Sequence, residues 1–456
     1  MRPVVTVAEM RALDAAALEI TTHDELVERA GRAVAETVLD RCPSVADRTI
    51  IVVAGKGSNG ADGRVAARLL EVKGASVRVL DATGPVDLGG ADVVIDAAYG
   101  TGLARDYDAP TAPPGVLVVA VDIPSGVDGD TGQVHGSALA ADVTVTMAAL
   151  TPGLLLGQGP ALSGDVVLAD IGISTATASM ALLDEDDLSL IPARAHRSHK
   201  WSRAVTIVAG GPGMEGAGAL SALGCLRGGA GMTRLVHPVD GTASMAWPLE
   251  LVRLATSPDQ LAAVALEEAA RCGALLIGPG LGTGAPIKAA VHKLIAERPC
   301  PVVLDADGLT AFSTPAELAA AVADGPPVIL TPHDGELTRL LGIGSLGDDR
   351  VEVVRSTATA TGAVVLLKGP TTIIASPEGT VLFSMAGTPA LATAGTGDVL
   401  AGLIAALLAA GLAAPLAAGL GALAHGCAGA RSTGTLIASE LPELIGNLIG
   451  ALHHGG

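Results

Sequence analysis

Aromatic side chains are nearly absent from the 456 residues, which hold two Trp, two Tyr and two Phe. With 49% hydrophobic residues, the core is therefore built from Ala, Val, Leu and Ile, a composition suited to buried parallel strands under Ala-rich helices. Charge is also sparse, at 16% of residues, and the formal net charge is -19 with no Lys/Arg cluster to reverse it locally. That balance repels phosphate backbones and anionic lipid, which excludes nucleic acid as a partner and gives no basis for a membrane surface. The five cysteines, Cys42, Cys225, Cys272, Cys300 and Cys427, show no C-x-x-C spacing. A zinc site and a disulfide framework are thereby excluded, and a reducing cytoplasm is expected. The amino terminus lacks the apolar block of a secretion signal, because Glu9, Arg11, Asp14 and Glu19 interrupt it at helical spacing. Residues 399–424 are uncharged and long enough to span a bilayer, but Pro415 and several glycines divide them, so they read as a pair of buried helices. No G-x-x-x-x-G-K-[ST] occurs, which removes the P-loop enzymes.

The length favours two domains. In the first part, strand-like runs alternate with helical stretches at residues 49–54 (TIIVVA), 76–80, 92–97, 116–122, 142–147 and 164–173. The same pattern begins again at residues 204–211 (AVTIVAGG) and continues through ALLIGPG, PVVLDADG, PVILTPHDGE and VVLLKGPTT. Each part reads as an α/β unit around a parallel sheet, with the boundary between residues 173 and 199.

The turn after the first strand, IVVAGKGSNGADG, contains G-x-G-x-x-G at Gly55, Gly57 and Gly60, with Asp81 at the next strand end. A Rossmann dehydrogenase is one reading. The polar residues Ser58, Asn59 and Asp62 set this turn apart, since a dehydrogenase packs small apolar groups there. Two further strand-end loops, DAAYGTGLARD (residues 96–106) and VDIPSGVDGDTG (residues 121–132), converge on the same crevice in an open α/β sheet.

These motifs, with ELVERAG at residues 25–31, resemble the NAD(P)H-hydrate epimerase family, whose usual turn is GxGNNGGDG. Ser58 and Ala61 depart from that turn, and both are small. The resemblance implies substrate contacts from Ser58, Asn59, Gly60, Ala61 and Asp62, and from Gly100, Thr101, Gly102, Leu103, Ala104, Arg105 and Asp106. It also implies a potassium ion on Asn59, Asp96 and Ser125, with Asp122 catalytic at the hydrated nicotinamide. An all-oxygen donor set suits a hard monovalent cation, although a lone Asp after a strand more often caps a turn.

In the second part LATAGTGDVLAGLIAALL (residues 391–408) places Gly395, Gly397 and Asp398 directly before a long apolar helix. Free amides and a helix dipole stabilise a migrating phosphoryl group, and Asp398 is the natural base for the attacking hydroxyl, the pattern of ribokinase-like small-molecule kinases. The alternative is a merely capped helix start. Together with GPGLG, LDADGL, TPHDGE, LKGPTT and residues 210–231, the motif resembles the NAD(P)H-hydrate dehydratase family over residues 200–456. That resemblance implies that Ala217, Gly280, His333 and Asp398 touch the hydrated cofactor, and that Lys368, Gly369, Pro370, Thr371, Thr372 and Gly397 hold the nucleotide. Asp305 and Asp307 either carry magnesium through water or brace their loop, with bracing preferred.

The expectation is thus a two-domain α/β enzyme: a Rossmann-like three-layer epimerase domain at residues 1–190 and a ribokinase-like dehydratase domain at residues 196–456. Its substrates are NADHX and NADPHX, its co-substrate ADP, and its ions potassium and magnesium. A cytoplasmic homo-oligomer is expected. The competing readings are a small-molecule kinase fused to a dinucleotide-binding domain, a Rossmann oxidoreductase, and a scaffold without turnover.

Overall fold

The computed structural model describes residues 1–103, 105–238 and 247–454; Ala104, among the expected substrate contacts, lies outside the described residues. By its internal contacts the chain divides after Met180, into residues 2–180 and residues 181 onward. Leu183, Leu188 and Ile191, just past the division, are buried in the core of the second unit.

Six strands make the first unit's sheet: β1 (Thr49–Ala54), β2 (Ser76–Asp81), β3 (Val93–Ala97), β4 (Leu117–Val121), β5 (Val143–Met147) and β6 (Asp165–Ala169). Their order is β2-β1-β3-β4-β5-β6, and every pairing is parallel. The central strands are runs of Val and Ile buried on both faces, as a covered parallel sheet requires. Helix α1 (Val7–Ala17) starts at a capping box, in which Thr6 Oγ1 accepts from Glu9 N at 3.1 Å and Glu9 Oε2 accepts from Thr6 N at 2.7 Å. Thr22 and Glu25 repeat the device for α2 (His23–Arg41). After β1 the chain turns through residues 55–57 into α3 (Ser58–Val72), whose N-cap, Gly57, offers no side chain to the first amides.

From residue 204 onward the strands of the second unit are β7 (Ala204–Val208), β8 (Met232–His237), β9 (Leu251–Ala255), β10 (Ala274–Ile277), β11 (Val302–Leu304), β12 (Val328–Leu330), β13 (Val364–Leu367), β14 (Thr372–Ala375) and β15 (Val381–Ser384). They lie in the order β15-β14-β13-β12-β11-β10-β7-β8-β9, parallel except where β14 pairs with β13 and β15. Helix α4 (Glu215–Arg227) packs on α5 (Thr396–Ala409) at backbone distance. A side chain at Gly224 would overlap the Val399 carbonyl, and one at Gly402 the Ser221 carbonyl, so glycine is required at both crossings. The apolar run at residues 399–424 is divided between α5 and α6 (Ala414–Ala430), with Pro415 in the first turn of α6. Among the described residues no helix is long and apolar enough to cross a membrane.

Candidate active sites

The first unit holds a cavity of about 780 Å³ at the carboxyl ends of β1, β3 and β4, walled by one stripe along α1 and by the first half of α2. Of the residues singled out in the sequence, Ser58, Asn59, Asp62, Gly100, Thr101, Gly102, Leu103, Arg105 and Asp122 line it. Gly60 does not: it is buried against Gly55, whose carbonyl a Cβ would overlap. Ala61 continues the first turn of α3, donating to the Gly57 carbonyl at 3.1 Å, and Asp106 is exposed. A Gly60→Ala change is therefore expected to destabilise this unit by about 1–3 kcal/mol, read by denaturant unfolding, because the close approach is backbone on backbone.

Asp122 stands in the left-handed region at φ 71°, a conformation that Asp tolerates better than most residues. Its Oδ2 accepts from Thr101 N at 3.0 Å, and a Cβ at Gly100 would come within 2.5 Å of the same oxygen. Glycine at that position is what lets the carboxylate face the cavity. Burial raises the Asp122 pKa, against the pull of the Thr101 hydrogen bonds. Burial also pushes Asp62 up to about 8, with the charges of Asp122 and Asp14 adding to the effect.

Asp96 and Ser125 lie beneath the cavity rather than on its wall. Ser125 donates from Oγ to Asp96 Oδ1 at 2.6 Å and from its backbone N to Oδ2 at 2.9 Å, while Asn59 Nδ2 donates to the Val121 carbonyl at 3.0 Å. Asp96 is 1% exposed, and burial raises its pKa against hydrogen bonds from Ser125 and Ala98. Asp81, which a dinucleotide-binding dehydrogenase turns toward a ribose, instead accepts from Thr83 N and Oγ1 at 2.8 and 2.7 Å.

Sequence reasoning gave no role here to Met10, Asp14 and Leu18, which line the cavity from α1, nor to His23, Lys56 and Tyr99. The four-residue spacing of Met10, Asp14 and Leu18 is one stripe of a helix, visible in sequence as amphipathicity but not as a site.

In the second unit Lys368, at the end of β13, donates to Asp305 Oδ1 at 3.0 Å and lies 3.8 Å from Glu336 Oε2. A Cβ on Gly397 would come within 3.7 Å of its Nζ, so lysine, glycine turn and the adjacent Asp398 share one site. Burial alone would lower the Lys368 pKa, but Asp305, Glu336 and Asp398 outweigh it and keep the ammonium charged. Asp398 is pushed up to about 7 by burial and by Asp305, with Lys368 opposing. Gly395 begins α5 at φ 93°, and Thr396 Oγ1 donates to the Leu391 carbonyl at 2.8 Å. Ala217 and Gly280 come together as expected contacts of one ligand would, a Cβ on Gly280 falling 2.9 Å from the Ala217 Cβ.

His333 is the N-cap of the helix Asp334–Leu341, its Nδ1 accepting from Gly335 N at 3.0 Å and from Glu336 N at 3.3 Å. Glu336 Oε2 accepts from His333 N at 2.9 Å, so one carboxylate ties the His333 loop to Lys368. Of the remaining loop residues, Gly369 and Pro370 precede β14, with Pro370 O 2.9 Å from the place of a Cβ on Gly387, and Thr372 opens that strand after Thr371. Asp307 accepts from Gly282 N at 2.8 Å, and between the two aspartates Ala306 is held at φ 49°, a strained conformation for alanine. Among the described residues no three His, Cys, Asp or Glu side chains form a metal cluster.

His425, on α6, was not singled out in the sequence. It is buried and donates from Nε2 to the Thr396 carbonyl at 2.9 Å, fixing the GTGD turn from behind. Burial pushes its pKa down to about 4. Because the folded value lies below the unfolded value of about 6.5, the unfolded chain binds the extra proton, and this contribution is present above pH ~6.5 and lost as pH falls toward 4. The second unit is expected to lose roughly 3 kcal/mol across that window through His425, and a His425→Leu variant to lose measurably less, by urea unfolding at each pH.

A mostly parallel sheet with a charged lysine at a glycine turn before an apolar helix defines a ribokinase-like nucleotide unit, here joined to a Rossmann-like one. The model of the family described as NAD(P)H-hydrate dehydratase matches residues 205–449, and that described as YjeF-related protein N-terminus matches residues 23–87 and 81–153. The bifunctional NAD(P)H-hydrate repair enzyme Nnr of Moorella thermoacetica is 34% identical over 439 residues, 82% of this chain and 82% of its own. Its namesake in Salinibacter ruber is 34% identical over 450 residues, 83% and 82% of the two chains. The ADP/ATP-dependent NAD(P)H-hydrate dehydratase of Bacillus subtilis, co-crystallised with ATP and magnesium, has a TM-score of 0.50 at 30% identity, covering 59% of this chain and 97% of that one. The chain belongs to the family of bifunctional NAD(P)H-hydrate repair enzymes.

Proposed function

We propose that the first domain, residues 2–180 by the chain's internal contacts, interconverts the R and S forms of hydrated NADH and NADPH, and that the second, from residue 181 onward, dehydrates the S form with ADP as phosphoryl donor. The observation that carries the second half is Asp398 beside Lys368 and the Gly397 turn. Hydroxide leaves a hydrated ring poorly at neutral pH, whereas phosphate leaves well. Asp398 takes the hydroxyl proton, the oxygen attacks the terminal phosphorus, and AMP departs; the ring nitrogen's lone pair then expels phosphate, and loss of the neighbouring C5 proton restores the dihydronicotinamide. Lys368, with Gly369, Pro370, Thr371, Thr372 and Gly397, holds the nucleotide phosphates, while Ala217, Gly280 and His333 seat the hydrated ring.

Asn59, Asp96 and Ser125 would hold the potassium ion. Their fit rests on the buried Asp96 carboxylate and the Ser125 hydroxyl against it, with no cation from the described residues among the causes of the Asp96 shift, and the ion would supply that fixed charge under the epimerase cavity. Magnesium would come with the nucleotide phosphates, as that ion commonly binds through substrate oxygens and one or two carboxylates. Cytoplasmic location is part of the reading, supported by five unpaired cysteines.

Phosphorus NMR of hydrated NADH incubated with ADP tests the dehydratase. The expected products are AMP, inorganic phosphate and NADH in equal amounts; a persistent phosphoester without NADH would make the second domain an ordinary kinase. Replacing potassium by a large organic cation is expected to slow epimerisation at least tenfold while sparing dehydration of the S form, followed by chromatographic separation of the epimers.

A further inference from the structure

Three carboxylates reach the first cavity from three different elements: Asp122 from the end of β4, Asp62 from α3 and Asp14 from α1. The chemistry assigned to the cavity asks for more than one. The two epimers carry their hydroxyl on opposite faces of the hydrated ring, so a single carboxylate on one face can serve only one of them at atomic contact. We infer that Asp14 is the second catalytic carboxylate of epimerisation, serving the ring face opposite the one served by Asp122. This rests on the epimerase reading of the first domain.

The placement supports the pairing. Asp14 lies in the middle of the α1 stripe, one turn from Met10 and one from Leu18, which line the cavity with it. Its side chain enters no salt bridge or hydrogen bond among the described residues, and Arg11, three residues earlier on α1, reaches instead toward Gly102. Electrostatic influence of Asp14 reaches both Asp62 and Asp122, so all three share one field.

The reaction balances with these groups alone. On the first face the carboxylate takes the hydroxyl proton as the bond from C6 to the ring nitrogen breaks. The oxygen becomes an aldehyde carbonyl, and the electron pair of the broken bond stays on nitrogen, which takes a proton from protonated Asp62. After rotation about the C5–C6 bond the nitrogen returns its proton to Asp62 and attacks the other face of the aldehyde. The carboxyl group on that side protonates the new alkoxide. Asp14 and Asp122 exchange protonation states, Asp62 ends as it began, and proton exchange with water in the open cavity resets the pair before the next turnover in the same direction. The cations Lys56 and Arg105 and the imidazole of His23 line the same cavity and remain for the cofactor's phosphates.

The full chain supplies its own test. With ADP and an equilibrated mixture of epimers, dehydration of the S form appears as a fast phase of NADH formation and conversion of the R form as a slower one limited by epimerisation. In Asp14→Asn the fast phase is expected to be unchanged and the kcat of the slow phase to fall about 100-fold, toward the uncatalysed rate, with KM within about threefold. Asp14→Glu, which keeps the carboxylate, restores part of the loss. A slow phase of wild-type rate in Asp14→Asn, or a loss confined to KM, overturns the inference. A wild-type slow phase no faster than the uncatalysed one defeats the epimerase reading itself, so the two failures are told apart.

Discussion

Asp398→Asn is expected to lower nucleotide-dependent NADH recovery by about 10²- to 10⁴-fold while R and S forms continue to interconvert at the wild-type rate. The substitution keeps shape and removes only the proton acceptor, so the fold at the start of α5 should persist. Asp398 stands in the first turn of that helix, where burial and Asp305 bring it to about 7. A base poised near neutrality combines a substantial ionised fraction with a useful affinity for the proton. The rate of dehydration with the wild-type chain should consequently rise as pH climbs through about 7, the ionised form being the competent one. Loss of both activities in Asp398→Asn would contradict the division of labour between the two units, and retention of dehydration would remove Asp398 from the reaction.

Lys368→Met carries the second large effect. Lys368 is the cation among Asp305, Glu336 and Asp398, and Asp305 is 2% exposed. Removing it leaves a buried carboxylate without its partner, a loss of about 3 kcal/mol or more by the usual cost of a broken buried pair. Roughly 100-fold is also expected to vanish from kcat/KM for ADP, since a preorganised charge at the phosphates is gone. The acid limb of the pH profile should move upward, because Lys368 is what holds the Asp398 pKa down. The double change Lys368→Met with Asp305→Asn separates the effects: stability returns with the charge removed from Asp305, while nucleotide affinity does not. Recovery of both would reduce Lys368 to a structural brace.

What could be read from sequence follows from where the determining interactions lie. The strands at residues 49–54, 93–97 and 204–208 announce themselves as Val and Ile runs because both faces are covered. β8 and β9 carry Arg234 and Arg253 within short apolar stretches and were not anticipated. Arg234 pairs with Glu268, a partner on a different element that no local pattern announces. The antiparallel pair β14 and β15 is likewise hidden, since the four-residue runs TIIA and VLFS become strands only through pairing with each other. Glycine turns were legible as local chemistry, and Asp122 and Asp398 stand at such turns. Asp14 and His425 were not, because one looks like the polar side of a helix and the other sits in an Ala-rich helix. Glu336 was in view within TPHDGE, yet its bridge from His333 to Lys368 is a fact of three dimensions.

The central claim is that one chain both epimerises the hydrate and removes its water at the expense of a nucleotide. Complete conversion of an equal R and S mixture by the purified chain, with ADP supplied in excess and AMP counted against NADH, tests it most directly. NADH formation is expected to proceed past the S fraction to exhaustion of the hydrate, with one AMP per NADH. A plateau at the S fraction, or NADH formed without AMP, would contradict it.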